Sequence, residues 1–183
     1  MAASEDDPDM VRFLLARGAD PNLNTATLST PLEIAASGRS VAIVKTLLDA
    51  GAVVKGRSTL PDAVTCRRRD IILFLLERGA NIDEVPDNDD FKNSRHYETY
   101  GTRNALGGAA WLGYSHMVEL LLNQGADPSV RDTKGRTPIE QAMIGPPDYH
   151  KENLEYTDYP KCIELLQEAI ARRVSQSDGS KTG

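Results

Sequence analysis

A chain of 183 residues, 40% of them hydrophobic, is long enough for one domain with its own core. Its formal charge of −6 argues against nonspecific binding to nucleic acid, which needs a net basic face. The acidic start Ser4-Glu5-Asp6-Asp7 is unlike a signal peptide, no apolar run approaches the roughly 18 residues that span a bilayer, and two cysteines are too few for a disulfide framework, so a cytosolic or nuclear protein without membrane contact is expected.

The first predicted element is a helix in Met10-Val11-Arg12-Phe13-Leu14-Leu15-Ala16-Arg17-Gly18-Ala19-Asp20, and the same pattern returns from Ile43, from Ile71 and from Met117. In each copy two apolar pairs stand four residues apart: Met10/Val11 with Leu14/Leu15, Ile43/Val44 with Leu47/Leu48, Ile71/Ile72 with Leu75/Leu76, Met117/Val118 with Leu121/Leu122. That spacing makes one stripe of an amphipathic helix. Gly18, Gly51, Gly79 and Gly125 follow the last turn, where a positive φ closes a helix and glycine adopts it without a Cβ clash. Gly18 and Gly51 are 33 residues apart.

Thr30-Pro31-Leu32-Glu33-Ile34-Ala35-Ala36 and Thr137-Pro138-Ile139-Glu140-Gln141-Ala142 each open a further helix, with threonine as N-cap and proline at the first helical position. Each unit is therefore two antiparallel helices. Small pairs such as Ala35/Ala36 and Ala109/Ala110 leave room for a neighbouring helix, so units should stack.

This combination resembles the ankyrin repeat, whose period of roughly 33 residues runs through a β-turn, T-P-L-H-x-A-A, a second helix and G-A-D. The spacing agrees as well as the composition, since Asp20 to Thr30 and Asp127 to Thr137 are both 10 residues, the family's usual gap. The resemblance implies an all-α solenoid of stacked antiparallel helix pairs with β-turn finger loops, in units near 1–25, 26–55, 56–83, 101–132 and 133–171. Insertions fall at 84–100 and 145–159. The closing helix, Pro160 to Ile170, reads as a cap, and the polar segment 172–183 as a disordered tail.

Several positions depart from the family pattern. Its T-P-L-H histidine is replaced by Glu33, Pro61, Gly107 and Glu140, and Tyr114 stands for the histidine of its G-H dipeptide. The third unit, Ser58-Thr59-Leu60-Pro61-Asp62-Ala63-Val64, is degenerate, with too short a lead-in for a full finger. Ahead of the first helix there is too little chain for a partner helix. That leaves two expectations, a poorly capped edge or one segment of a larger ankyrin protein, with a monomer expected unless the edge is uncapped.

The first insertion puts Asn81 and Asn104 23 residues apart, 13 more than the standard gap, and contains Phe91, His96, Tyr97 and Tyr100. A long loop in a compact domain is usually functional or disordered. In the ankyrin family the partner surface is usually the concave one, which the alignment carries to Ser37, Gly38, Thr65, Cys66, Trp111 and Leu112. Tyrosine and tryptophan bury much area with few rotamers and are enriched at interface hot spots. Phe91, His96, Tyr97, Tyr100, Trp111, Leu112 and Tyr114 are thus the candidate partner-binding residues, with Tyr97, Tyr100 and Trp111 expected in one cluster. With Asp89, Asp90, Glu98 and Glu119 nearby, the matching partner is a protein or peptide with basic and apolar residues. A loop that merely folds back on Trp111 is the competing reading.

Catalytic chemistry finds little support. His96, His116 and His150 show no i, i+4 metal-ligand spacing, no G-x-S-x-G or Walker-type glycine pattern occurs, and Cys66 and Cys162 read as buried small residues. No metal or cofactor is expected. Arg67-Arg68-Arg69 reads as a solvated turn between two helices rather than a docking patch. The leading expectation is a noncatalytic protein-binding scaffold that uses its concave face and the 84–103 insertion. Beside it stands a small enzyme or small-molecule binder in which both insertions close a pocket, with His96 and His150 as acid/base candidates.

Overall fold

The computed structural model describes residues 7–23, 29–38, 40–54, 58–86, 101–146 and 157–179. Within them lie nine helices and no strand: α1 (Pro8–Ala16), α2 (Pro31–Ser37), α3 (Val41–Asp49), α4 (Thr59–Thr65), α5 (Arg69–Glu77), α6 (Ala105–Trp111), α7 (Ser115–Asn123), α8 (Pro138–Ile144) and α9 (Tyr159–Gly179). The inner helices α2, α4, α6 and α8 pack in sequence. The outer helices α1 and α3, α3 and α5, and α7 and α9 pack behind them. The core is the seam between the layers, where Leu32, Ile43, Leu47, Ile71, Leu75, Leu106, Leu121 and Leu166 are fully enclosed.

The expected stop signals hold. Gly18, Gly51, Gly79 and Gly125 have φ between 84° and 91°. The acid or amide two residues further on then turns the chain locally: Asp20, Asn81 and Asp127 each accept the backbone N–H two residues later, at 2.8 to 3.1 Å. Neighbouring units are tied through these turns. Asn22 Oδ1 accepts the Val53 N–H at 2.8 Å, and Asp83 Oδ1 accepts the Asp127 N–H at 2.8 Å.

The glutamates that stand in for the motif histidine close the inner-helix N-termini. Thr30 Oγ1 accepts the Glu33 N–H while Glu33 Oε2 accepts the Thr30 N–H, and Thr137 and Glu140 repeat the arrangement. Glu33 Oε1 also accepts the Ser58 N–H at 3.1 Å, so the second unit supplies a bond to the degenerate third. In the fourth unit Asn104 Oδ1 accepts the Gly107 N–H at 2.8 Å. A Cβ on Gly107 would lie 2.7 Å from Gln141 Oε1, so this glycine lets α8 approach α6.

Two expectations need correction. The segment read as a disordered tail continues α9 to Gly179. Arg172 pairs with Glu168 one turn back at 2.8 Å, and Arg173 reaches Asp127 of the fourth unit at 2.5 Å. Burial pushes the Asp127 carboxyl up, but the bonds from Ser129 and the Arg173 guanidinium outweigh it and hold it below its ordinary value. Polar composition misled because the residues just beyond Ile170 are tied by the Arg172 and Arg173 ion pairs, whereas the apolar stripe of α9 ends before them. Second, Cys66 is exposed and only Cys162 is buried, because Cys66 caps the end of α4 beyond the packed pair Ala63/Val64. The arginine run lies where it was expected, in the turn between α4 and α5 with Arg67 and Arg69 exposed; Arg67 holds φ +55° with its guanidinium 5.5 Å from the Tyr114 ring centroid, and Arg68 pairs with Asp70 at 2.8 Å.

Candidate functional site

The residue that follows the small pair on each inner helix occupies one row along the stack. The row reads Ser37, Thr65, Trp111 and Ile144. It is polar in the second and third units and apolar in the fourth and fifth. Ser37 and Thr65 are exposed, Trp111 is half-buried, and Ile144 is 52% exposed beside Met143 at the end of α8. Met143 occupies the position of the second small residue, which in the three preceding inner helices is Ala36, Val64 or Ala110 and fully buried. A cavity of about 470 Å³ bounded by Ala142, Met143, Ile144, Tyr159 and Ile163 continues the apolar surface.

Trp111 is positioned from both ends of its unit. Arg103 precedes the N-cap of α6, and its guanidinium stacks 4.2 Å from the centroid of the indole at the other end of that helix. The ring and the cation attract through the ring quadrupole. Burial and the neighbouring Arg136 guanidinium bring the Arg103 pKa down to about 10, and Asp132 opposes them. Asp132 is itself buried and chelated by Arg136 at 2.7 Å, and it also accepts the Lys134 and Arg136 N–H groups at 2.8 Å. The described surroundings of Trp111 are therefore cationic, where an acidic neighbourhood was expected. Glu119 is exposed on α7.

The α6–α7 turn holds Leu112 and Tyr114, both half-buried. Gly113 between them has φ +71°, and a Cβ there would lie 2.9 Å from the Tyr159 ring and 3.0 Å from Thr157. The Asp158 N–H donates to Gly113 O at 2.8 Å and the Tyr159 hydroxyl to Trp111 O at 3.4 Å. The start of α9 thus locks onto the turn that carries the aromatic residues.

Trp111 ends α6, and Leu112 and Tyr114 lie in the turn after it. Phe91, His96, Tyr97 and Tyr100 lie outside the described residues, as do most of both insertions and His150. The first insertion leaves the body at Pro86 and returns at Gly101, and the Thr102 hydroxyl closes its base by donating to Pro86 O at 2.9 Å. That base is at the N-terminal end of α6, whereas Trp111 ends the helix, roughly 10 Å away at 1.5 Å per residue. Arg103 was missed by sequence reasoning. Its placement next to an N-cap gave no signal that its side chain would run the length of α6.

No group of three or more metal-ligating side chains occurs among the described residues, and no described helix is long and apolar enough to cross a membrane. The Cys162 thiol is pushed up to about 12, by burial first and by Asp158 second, so it stays protonated near neutral pH. Gly107 serves close helix packing, whereas a Cβ on Gly108 would meet open space.

Stacked helix pairs with an extended inner face define a repeat-solenoid binding module. A family model for ankyrin repeats in three copies matches residues 1–85 and a single-repeat model matches residues 103–133; the chain belongs to the ankyrin-repeat family, whose members generally mediate protein–protein interaction and are generally noncatalytic. It is similar to the B-cell lymphoma 3 protein homolog of Mus musculus, 28% identical over 166 residues, covering 72% of this chain and 36% of that protein. A putative ankyrin repeat protein of fowlpox virus is 30% identical over 147 residues, covering 74% of this chain and 40% of its own. Human transient receptor potential cation channel subfamily A member 1 matches over 85 residues at 31%, covering 43% of this chain and 8% of the channel. The chain spans well under half the length of each.

Proposed function

We propose that the protein is a noncatalytic scaffold that binds a protein partner across the inner-helix face of its fourth and fifth units, together with the 84–103 insertion. The observation that supports this is the change along the inner row, from Ser37 and Thr65 to Trp111 and Ile144. An aromatic ring stacked by Arg103, on a backbone that Tyr159 ties at the Trp111 carbonyl, presents apolar area at little entropic cost. The partner carries apolar side chains for Trp111, Leu112 and Ile144. Its basic side chains belong against the carboxylates of the insertion, Asp87, Asp89, Asp90 and Glu98, because Arg103 and Arg136 would repel them beside Trp111. The compartment proposed is cytosol or nucleus, where an exposed thiol such as Cys66 stays reduced.

The test compares partner capture by three chains of matched helicity and melting: the intact protein, a variant with 87–100 replaced by a short Gly/Ser turn, and Ile144→Asp, which changes a surface side chain. Loss of one shared partner in both variants, by about tenfold in affinity, supports the reading. Unchanged capture in both sinks it.

A further inference from the structure

Helix α9 is 21 residues long where the outer helices α1, α3, α5 and α7 have 9, and beyond Ile170 it runs roughly two and a half further turns. The cap and the partner surface proposed above leave this overhang unused. Its sequence is Arg172-Arg173-Val174-Ser175, two guanidiniums three and two residues ahead of an exposed hydroxyl. Both arginines are well exposed, and each already holds one carboxylate, Arg172 that of Glu168 and Arg173 that of Asp127. The Ser175 hydroxyl donates to Ala171 O at 3.0 Å, the backbone acceptor one turn back, within the last turns before the helix ends at Gly179.

We propose that Ser175 is a phosphorylation site for an arginine-directed protein kinase, and that the phosphate unlatches the end of α9 from the fourth unit. A kinase cleft that selects cationic residues ahead of its target serine offers carboxylates, and Arg172 and Arg173 supply the matching charge. Entry needs an extended segment, and the end of a helix frays more readily than its middle. In the reaction Ser175 Oγ attacks the γ-phosphorus of ATP, the bond to the β,γ-bridging oxygen breaks, and ADP leaves with that electron pair. The hydroxyl proton passes to the carboxylate base of the kinase.

The product opposes the helix that holds it. A phosphate dianion in the last turns meets the negative end of the helix dipole. It also stands one turn after Arg172 and competes for it with Glu168, whereas Arg173, two residues away on another face, is released as the last turns fray. Losing the Arg173–Asp127 pair frees the overhang from the turn that carries Asp127.

The full chain is incubated with ATP and the catalytic subunit of an arginine-directed kinase, phosphate is mapped by mass spectrometry, and amide exchange is followed over 171–176. The expected result is one phosphate at Ser175, absent in Ser175→Ala, with exchange in that segment faster by roughly fivefold or more. Asp127→Asn, which releases Arg173 without altering the kinase-facing sequence, should be phosphorylated about threefold faster than the unchanged chain. A folded chain that takes no phosphate at Ser175 overturns the site, even where a peptide of residues 169–181 is modified, because the helix then shields the serine. Phosphate at Ser175 with unchanged exchange overturns the latch.

Discussion

Helices α1 and α5 are nearly the same object locally. Each has nine residues, ends on an arginine whose N–H returns to the last turn, and stacks that arginine on a phenylalanine, Arg17 on Phe13 at 4.6 Å and Arg78 on Phe74 at 4.8 Å. Their surroundings differ. Ile71 and Leu75 are sealed against an inner helix, whereas Met10 and Leu14, at the same positions, are 45% and 41% exposed, because among the described residues α1 packs on α3 with no inner helix in front of it. An amphipathic stripe therefore states what a helix can bury and leaves open what it does bury.

The sharpest way to break this comparison is to truncate the matched leucines. Leu75→Ala should cost about 2–4 kcal/mol and Leu14→Ala less than about 1 kcal/mol, read from urea denaturation of the full chain. Equal losses would mean that α1 is covered in solution.

Asp62 extends the comparison to the inner helices. It stands four residues after the N-cap position, where the second unit has Ile34 and the fifth Gln141. Burial, and secondarily the neighbouring Glu33 carboxylate, raise its pKa from 3.8 to about 7. The unfolded carboxyl ionises near pH 4 but the folded one only near 7. In that window the folded state binds the extra proton, so stability falls as pH rises from about 4 to about 7 and stays low above it. Asp62→Asn removes this loss. Its melting should stay flat where the unchanged chain declines, with a gain on the order of 1–2 kcal/mol at pH 8 once partial solvation is discounted. A parallel decline in both would remove Asp62 as the cause.

The smallest effect belongs to the matched turns. Arg67 and Gly113 carry the same backbone bonds between their helices and the same left-handed φ, but only glycine adopts it without strain. Arg67→Gly should raise stability by about 0.5–1 kcal/mol, less whatever the stack on Tyr114 contributes. A loss in the thermal melt would show that the stack outweighs the strain.

Of the proposed partner surface, only the positions of three residues were legible in the sequence. Trp111, Leu112 and Tyr114 followed from counting along the repeat, since each unit places the residues after its small pair in the same row. Their setting did not follow. Arg103 over the indole, Asp132 held by Arg136, and Tyr159 reaching Trp111 O join residues from three segments of the chain. No local pattern records such meetings.

What the sequence determined by itself is the repeating part: helix pairs from the apolar stripe, helix ends from Gly18, Gly51, Gly79 and Gly125, and starts from Thr30 and Thr137. These are short-range steric and hydrogen-bond preferences, satisfied within a few residues whatever the neighbours do. Tertiary structure alone decided how far α9 runs, which of two cysteines is buried, that Glu33 bonds to the third unit, and that among the described residues Met10 and Leu14 stay exposed on α1. Each of these depends on a group distant in sequence arriving or failing to arrive, and burial and ion pairing are properties of that meeting.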